Sequence, residues 1–181
     1  MPEVLFFLLF IALLSFAWGA ISCAPWVPTM KAESSLLVDN LKISPSATIY
    51  DLGCGTGSIL FAFAKKYPNA KCIGYDVSLL PLFFGLLRKL RSPKKYKNVS
   101  LRFGNLFQQH FADADLIVIF LMEKSYKKLF EKLTSEARPG TVIALEAWPA
   151  PDREPLQKFE GEKLLPWYVY EIGGGKCENV K

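Results

Sequence analysis

The run Ala47-Thr48-Ile49-Tyr50-Asp51-Leu52-Gly53-Cys54-Gly55-Thr56-Gly57 limits what this chain can fold into more than any other stretch. Its first half carries β-branched and aromatic residues and reads as a strand. Its second half sets three glycines at alternate positions. It passes into Ser58-Ile59-Leu60-Phe61-Ala62-Phe63-Ala64-Lys65-Lys66, an apolar helical run with a basic last turn. Strand, glycine turn and helix start form the nucleotide-cradling corner of a doubly wound α/β fold. Glycine serves there because a side chain would hold a ligand off the backbone, and because the turn can need a positive φ. The spacing separates related corners. A dinucleotide fingerprint reads Gly-x-Gly-x-x-Gly, whereas here the third glycine comes one residue early and Ser58 holds the dinucleotide position. No Gly-Lys-Ser/Thr follows, which excludes a P-loop.

The expected context surrounds the corner. Ala70-Lys71-Cys72-Ile73-Gly74-Tyr75-Asp76 reads as a second strand ending in a carboxylate. Asp76 lies where a Rossmann-like site places its ribose-binding acid, and an ionised carboxylate can accept from both ribose hydroxyls. Ser78 is expected to cap a helix over Leu79–Leu90, apolar nearly all round, so that it is either deeply packed or in contact with lipid. Strands follow at Val99–Phe103, at Asp115–Leu121, a continuous apolar run suited to a strand buried on both faces, and at Gly140–Trp148. A helix is expected over Lys124–Ser135, and a closing antiparallel hairpin from Pro155–Glu160 and Leu165–Ile172. Alternating strands and helices imply a mostly parallel sheet with right-handed crossovers. Asp51 to Gly57, Asp76, Asn105 and Leu121 to Glu123 then share the rim at the strands' carboxyl ends.

Upstream of that domain, Val4 to Met30 holds no charged residue, and Val4–Ile21 is almost wholly apolar. About 20 such residues span a bilayer as a helix. A secretory signal needs a basic start, whereas Met1-Pro2-Glu3 carries an acid. The expected organisation is a transmembrane anchor over 1–24, a catalytic domain over 25–174 and a flexible tail over 175–181. Prolines in Ser22–Pro28 end the anchor, and Thr29 caps a helix running to Leu41. Every Lys and Arg lies at or after Lys31, so the domain is placed on the cytoplasmic, or mitochondrial-matrix, side of a single-pass anchor.

Net charge is +5, with basic residues gathered in Arg88–Lys97. That cluster is either a solvated helix end or a contact for anionic headgroups, and no nucleic-acid module accompanies it. Cys23, Cys54, Cys72 and Cys177 show neither Cys-x-x-Cys nor Cys/His pairing, so no zinc site and no disulfide framework is expected.

Asp-Leu-Gly-Cys-Gly-Thr-Gly resembles motif I of the class I S-adenosylmethionine-dependent methyltransferases. With Pro25-Trp26-Val27-Pro28-Thr29, Gly74-Tyr75-Asp76, Asn105-Leu106-Phe107 and Asp115–Phe120 in order, the chain resembles the FAM173-type membrane-anchored protein lysine methyltransferases and their small prokaryotic relatives. The resemblance runs from about Pro25 to Glu171. It implies S-adenosylmethionine as cofactor. Gly53, Cys54, Gly55 and Gly57 would pass beside its methionine part, and Asp51 would help hold its amino end. Asp76 would bind the ribose, Asn105 would lie near the adenine, and Thr29 would help cover the cofactor. The family often has Ser in place of Cys54 and Asp or Glu in place of Asn105.

Displacement at a sulfonium methyl needs alignment and no metal. The harder part is the acceptor, since a lysine amine must lose its proton first. Glu123 and Glu146, at the ends of the fourth and fifth strands, are candidates for orienting that amine. Leu121-Met122-Glu123-Lys124 stands where nucleobase-type amino methyltransferases carry Asn-Pro-Pro-Tyr, which argues against a nucleobase. Three functions follow: a membrane-tethered methyltransferase acting on a lysine of a membrane-associated protein, a methyltransferase for a lipid or quinone-like molecule, or a module that binds cofactor or partner without turnover.

Overall fold

The computed structural model describes residues 3–7, 9–10, 29–151 and 153–173. Most of the expected anchor, the Pro25–Pro28 stretch and the tail lie outside them. Residues 3–7 and 9–10 are helical, with Val4, Leu5, Phe6, Phe7, Leu9 and Phe10 exposed. Among the described residues, no helix is long and apolar enough to cross a membrane.

The elements in order are α1 (Lys31–Asn40), β1 (Thr48–Leu52), α2 (Ser58–Lys66), β2 (Lys71–Asp76), α3 (Leu79–Leu90), β3 (Val99–Phe103), β4 (Leu116–Ile119), α4 (Tyr126–Glu136), β5 (Val142–Glu146), β6 (Gln157–Phe159) and β7 (Trp167–Glu171). Short 3-10 turns cover Leu106–Gln108 and Glu123–Ser125. The seven strands form one sheet in the order β3-β2-β1-β4-β5-β7-β6. The first five pair in parallel, and β7 runs antiparallel to both β5 and β6. The order reverses between β1 and β4, the crevice where such sheets take ligands.

Strand alternation sorts the apolar residues into two cores. Ile49, Leu116, Val118 and Ala144 face a core shared with Leu37, Leu60, Phe61, Phe63 and Leu82 of α1, α2 and α3. Tyr50, Ile117, Ile119, Ile143 and Leu145 face the other, against Tyr126, Leu129, Phe130 and Leu133 of α4. Being buried on both faces, β4 is apolar throughout, as its sequence indicates.

Four details differ from the sequence reading. Met30 rather than Thr29 begins α1, and the Glu33 carboxylate accepts from the Met30 N–H at 2.8 Å. Ser78 begins α3 without a side-chain cap; Asp76 Oδ1 accepts from its N–H instead. β5 ends at Glu146, before Trp148. For α3, where the sequence leaves deep packing and contact with lipid both open, the fourth detail is that deep packing is partial: Pro81, Leu82 and Gly85 are buried while Leu79, Leu80, Phe83, Phe84, Leu86 and Leu90 are exposed. Gly85 makes the close approach possible. A Cβ there would sit 2.8 Å from the Thr56 carbonyl oxygen and 2.5 Å from Leu101 Cδ1.

Candidate functional site

Gly53, Gly55 and Gly57 take φ of +86°, +51° and +75°, so the turn after β1 uses the conformation that side chains disfavour. Gly53 and Cys54 both donate their N–H to the Tyr75 carbonyl, tying the turn to the end of β2. Asp76 completes the tie. Its Oδ2 accepts from the Gly55 N–H at 2.7 Å, while Oδ1 takes Ser78 N–H at 2.7 Å. Each oxygen holds one backbone donor and keeps a lone pair free. The carboxylate is half-buried at the rim, so it is oriented before any ligand arrives.

Cys54 enters the site through its backbone alone. The thiol is buried, and a Cβ on Gly74 would fall 2.6 Å from its Sγ. Gly74 is therefore small so that β2 can accept the cysteine. Burial, then the nearby Asp51 and Asp76 charges, push the thiol well up from its ordinary range.

Asp51 and Glu146 project from the same face of the sheet, since Ile49 and Ala144, two residues before each, belong to one core. Asp51 is 2% exposed, and burial together with the charge of Asp76 raises its carboxyl to about 8. No hydrogen-bond donor among the described residues reaches it. Glu146 is wholly buried at the carboxyl end of β5. Its Oε2 accepts from the Thr29 hydroxyl at 2.7 Å, and Oε1 has no partner among the described residues. Burial pushes this carboxyl to about 8; the Thr29 hydrogen bond opposes the rise, and the Glu33 and Asp51 charges add to it.

The elements around Glu146 hold it firmly. Glu33 Oε1 accepts from Leu165 N–H, and the Glu33 carbonyl accepts from Trp167 Nε1, so α1 is strapped to the β6–β7 hairpin and carries Thr29 over Glu146. Beyond Glu146, Ala147 takes φ +74° and Trp148 N–H donates to the Glu146 carbonyl at 3.0 Å. That is a γ-turn of the rarer, strained hand. It ends β5 abruptly and brings Trp148 onto Phe120, ring centroids 6.2 Å apart and 27° from parallel. Non-glycine residues in this conformation concentrate at functional sites.

Of the residues expected at a site, the structure brings Asp51, the glycines, Asp76, Thr29 and Glu146 to one rim. Thr29 contacts Glu146. Asn105 is exposed, and its side-chain oxygen is taken by the Phe107 N–H at 3.0 Å, capping a 3-10 turn. Glu123 is exposed at the start of the other 3-10 turn. Sequence reasoning missed Tyr126. Its hydroxyl is buried without a partner among the described residues, and burial first, then the charges of Tyr170, Glu123 and Glu146, raise its pKa. Its spacing from Glu123 is the only signal the sequence holds for it. Glu33 was also missed, since an acid in a first helical turn normally signals the helix dipole alone. Among the described residues no three His, Cys, Asp or Glu side chains group as a metal site.

The rim fits the sulfonium nucleoside that the resemblance implies. Three side-chain-free positions let a ligand approach the backbone. A rim carboxylate fixed by two N–H groups faces outward for a diol. Two buried carboxylates stand where a cation would relieve the cost of ionising them.

Comparison with known proteins points the same way. Residues 51–157 match the ANTKMT methyltransferase domain family. A protein-lysine N-methyltransferase of Saccharolobus islandicus is 26% identical over 157 residues, covering 84% of this chain and 96% of the relative. A trans-aconitate 2-methyltransferase of Azoarcus sp. is 26% identical over 140 residues, 72% of this chain and 50% of its own length. Among solved structures, an RNA methyltransferase from Salinibacter ruber in complex with S-adenosyl-L-homocysteine superposes with a TM-score of 0.77 at 21% identity, over 86% of this chain and 99% of that one. PKMT2 from Rickettsia typhi in complex with AdoHcy gives a TM-score of 0.53 at 22% identity, over 71% and 28%. The family match takes in more than half of the chain. The chain belongs to the ANTKMT methyltransferase domain family and is an S-adenosylmethionine-dependent methyltransferase.

Proposed function

We propose, from that family membership, that the methyl acceptor is the side-chain amine of a protein lysine, and that Glu146 receives the proton the amine must lose. The observation that carries this reading is the wholly buried Glu146 carboxylate with one oxygen unpartnered among the described residues. A neutral acceptor gives no reason to keep such a group, whereas an ammonium does. The likeness to the Saccharolobus lysine methyltransferase over nearly its whole length supports the same acceptor.

When bound, the cofactor supplies a methyl group on a sulfonium that departs as a neutral thioether. The protein supplies the rest. Asp51 accepts from the cofactor's amino end, Asp76 takes the ribose hydroxyls, and the Gly53–Gly57 backbone lies along the methionine part. Cys54 contributes its backbone and Asn105 a loop edge beside the adenine. Glu146 accepts a hydrogen bond from the lysine ammonium through Oε1, with Thr29 fixing Oε2. Burial raises this carboxyl above an ordinary glutamate, so it is suited to take the proton before the amine attacks. Phe120 and Trp148 line the approach for the aliphatic stem of the lysine, their faces attractive to its cationic end. Tyr126 and Glu123 close the wall behind.

The uncharged run Val4–Ile21 supports tethering to a membrane, with the catalytic domain on the side that supplies the cofactor and a membrane-associated protein as substrate. One experiment tests acceptor and tether together. Membranes carrying the enzyme are incubated with methyl-labelled cofactor, then separated into protein and lipid extract. Label on lysine of a protein band is expected. Label confined to the lipid extract would replace the lysine reading by a lipophilic acceptor, and bound cofactor without transfer would remove catalysis.

A further inference from the structure

We infer that the outer face of α3, with the basic segment after it, is a docking surface for an anionic lipid bilayer, separate from the N-terminal run and independent of the methyl acceptor. A helix on a folded domain ordinarily turns its apolar stripe inward. This helix does the reverse. At helical spacing Leu79, Phe83, Leu86 and Leu90 make one row and Leu80, Phe84 and Leu87 the next. The first row is 55, 54, 42 and 70% exposed, and Phe84 is 53% exposed. The face that meets the sheet consists of Pro81, Leu82 and Gly85, small enough to hold the helix tightly without using its bulky residues.

Phe103, 63% exposed, extends the patch at the end of β3. By strand alternation it shares the side of Leu101, which packs beneath Gly85. Together these residues open on the order of 500 Å² of apolar surface, the size at which a patch on a monomer marks an interaction site.

Charge identifies the occupant. Between Val77 and Ala112 the chain has seven Lys or Arg and no Asp or Glu. Arg88, Arg91, Lys94, Lys95 and Lys97 are exposed, and none forms an ion pair with a carboxylate among the described residues. Arg88 places its guanidinium 4.3 Å from the Phe61 ring and Lys89 donates to the Val99 carbonyl, so these two heads are engaged within the domain, and Arg91, Lys94, Lys95 and Lys97 supply the exposed charge beside the apolar face. An apolar helix face bordered by cations is the pattern of a helix lying in the membrane interface. Two other occupants fit less well. A second copy would bring two cationic borders together. The chain's own uncharged run Val4–Ile21 would cover the apolar stripe and leave the cations unanswered.

The test uses the full chain carrying a benzophenone photocrosslinker in place of Phe84, with Glu131 on α4 as the control position. Both sites are exposed, so folding is retained, and binding of S-adenosylhomocysteine verifies it. The chains are reconstituted in phosphatidylcholine vesicles with and without phosphatidylserine. Lipid adducts are expected at position 84 and not at 131, and they increase with phosphatidylserine. Because several basic residues act together, K94E/K95E/K97E lowers the docked fraction on the order of 100-fold and removes the phosphatidylserine dependence. A crosslink from 84 to the chain's own first 30 residues, a dimer crosslink, or no adduct at 84 each overturns the inference. A tethered enzyme whose α3 stays in water gives no adduct at 84, so the result is separate from that of the anchor and of the acceptor.

Discussion

Replacing Glu146 with glutamine separates the electrostatic cost of this residue from its use. The glutamine keeps the shape of a protonated carboxyl and can still accept from the Thr29 hydroxyl. It does not titrate. In the wild type without cofactor, the carboxyl rises from an ordinary 4.5 to about 8. The sign follows directly. Below 4.5 the group is protonated folded and unfolded, and its favourable contribution is complete. As pH rises toward 8, the unfolded chain releases the proton while the folded chain holds it, so stability falls. Each pH unit costs about 1.4 kcal/mol, which sets a ceiling of about 5 kcal/mol across the window. Relaxation and water entry reduce that to roughly 2–3 kcal/mol. Urea unfolding at pH 5 and pH 8.5, without cofactor, reads the effect as the difference between variant and wild type. Asp51 titrates in both proteins and cancels in part, since its charge acts on Glu146. E146Q is expected to gain about 2–3 kcal/mol on the wild type between the two pH values, to lose about 10²- to 10⁴-fold in methyl transfer, and to show a shallower rise of cofactor affinity from pH 6 to 8. A difference that stays flat with pH would refute the buried-carboxylate argument, and full activity in E146Q would refute its role with the amine.

Asp76→Asn puts an amide NH₂ or a single carbonyl where two N–H groups are already satisfied, so the Gly55 tie or the ribose contact is lost; calorimetry should show S-adenosylhomocysteine binding weakened about 100-fold with the fold intact. Because Asp51 and Glu146 both sit at about 8 without ligand and a cation favours their charged forms, cofactor affinity should rise from pH 6 to 8, and binding at pH 7 should release protons; equal calorimetric heats in phosphate and Tris would contradict this. Tyr126→Phe removes a buried hydroxyl without a partner among the described residues, so unfolding should show stability unchanged or raised by about 1 kcal/mol while turnover falls about tenfold; unchanged turnover would confine Tyr126 to packing.

Much of the sheet is legible in the chain because β1 to β5 are short, apolar and separated by helices, and parallel pairing with right-handed crossovers leaves few orders to choose from. The closing hairpin is legible too, since Pro149 and Pro151 follow the fifth strand and no helical period comes after them. The glycine corner and Asp76 are legible because their chemistry depends on local spacing. What eludes the sequence depends on contacts distant along the chain. Thr29 and Glu146 are 117 residues apart, and only the strap through Glu33 brings them together. Cys54 looks like a ligand-facing residue until the missing side chain of Gly74 shows where it packs. The γ-turn at Ala147 has no local signature, because alanine is an unusual choice for a left-handed position. The orientation of α3 is hidden for another reason: its bulky apolar residues would ordinarily be taken as the inward side, whereas the close contact at Gly85 turns the side of Pro81, Leu82 and Gly85 inward.

The contact between Gly85 and the Thr56 carbonyl has a mechanical consequence. Helix and loop approach closely there because Gly85 has no side chain, with Leu101 packed against the same point. Thr56 belongs to the glycine bend, so the inner side of the helix rests directly on the backbone that would cradle the nucleotide. By reciprocity of linked equilibria, any effect that a contact on the outside of the helix has on the pocket is matched by an equal effect of the filled pocket on that contact.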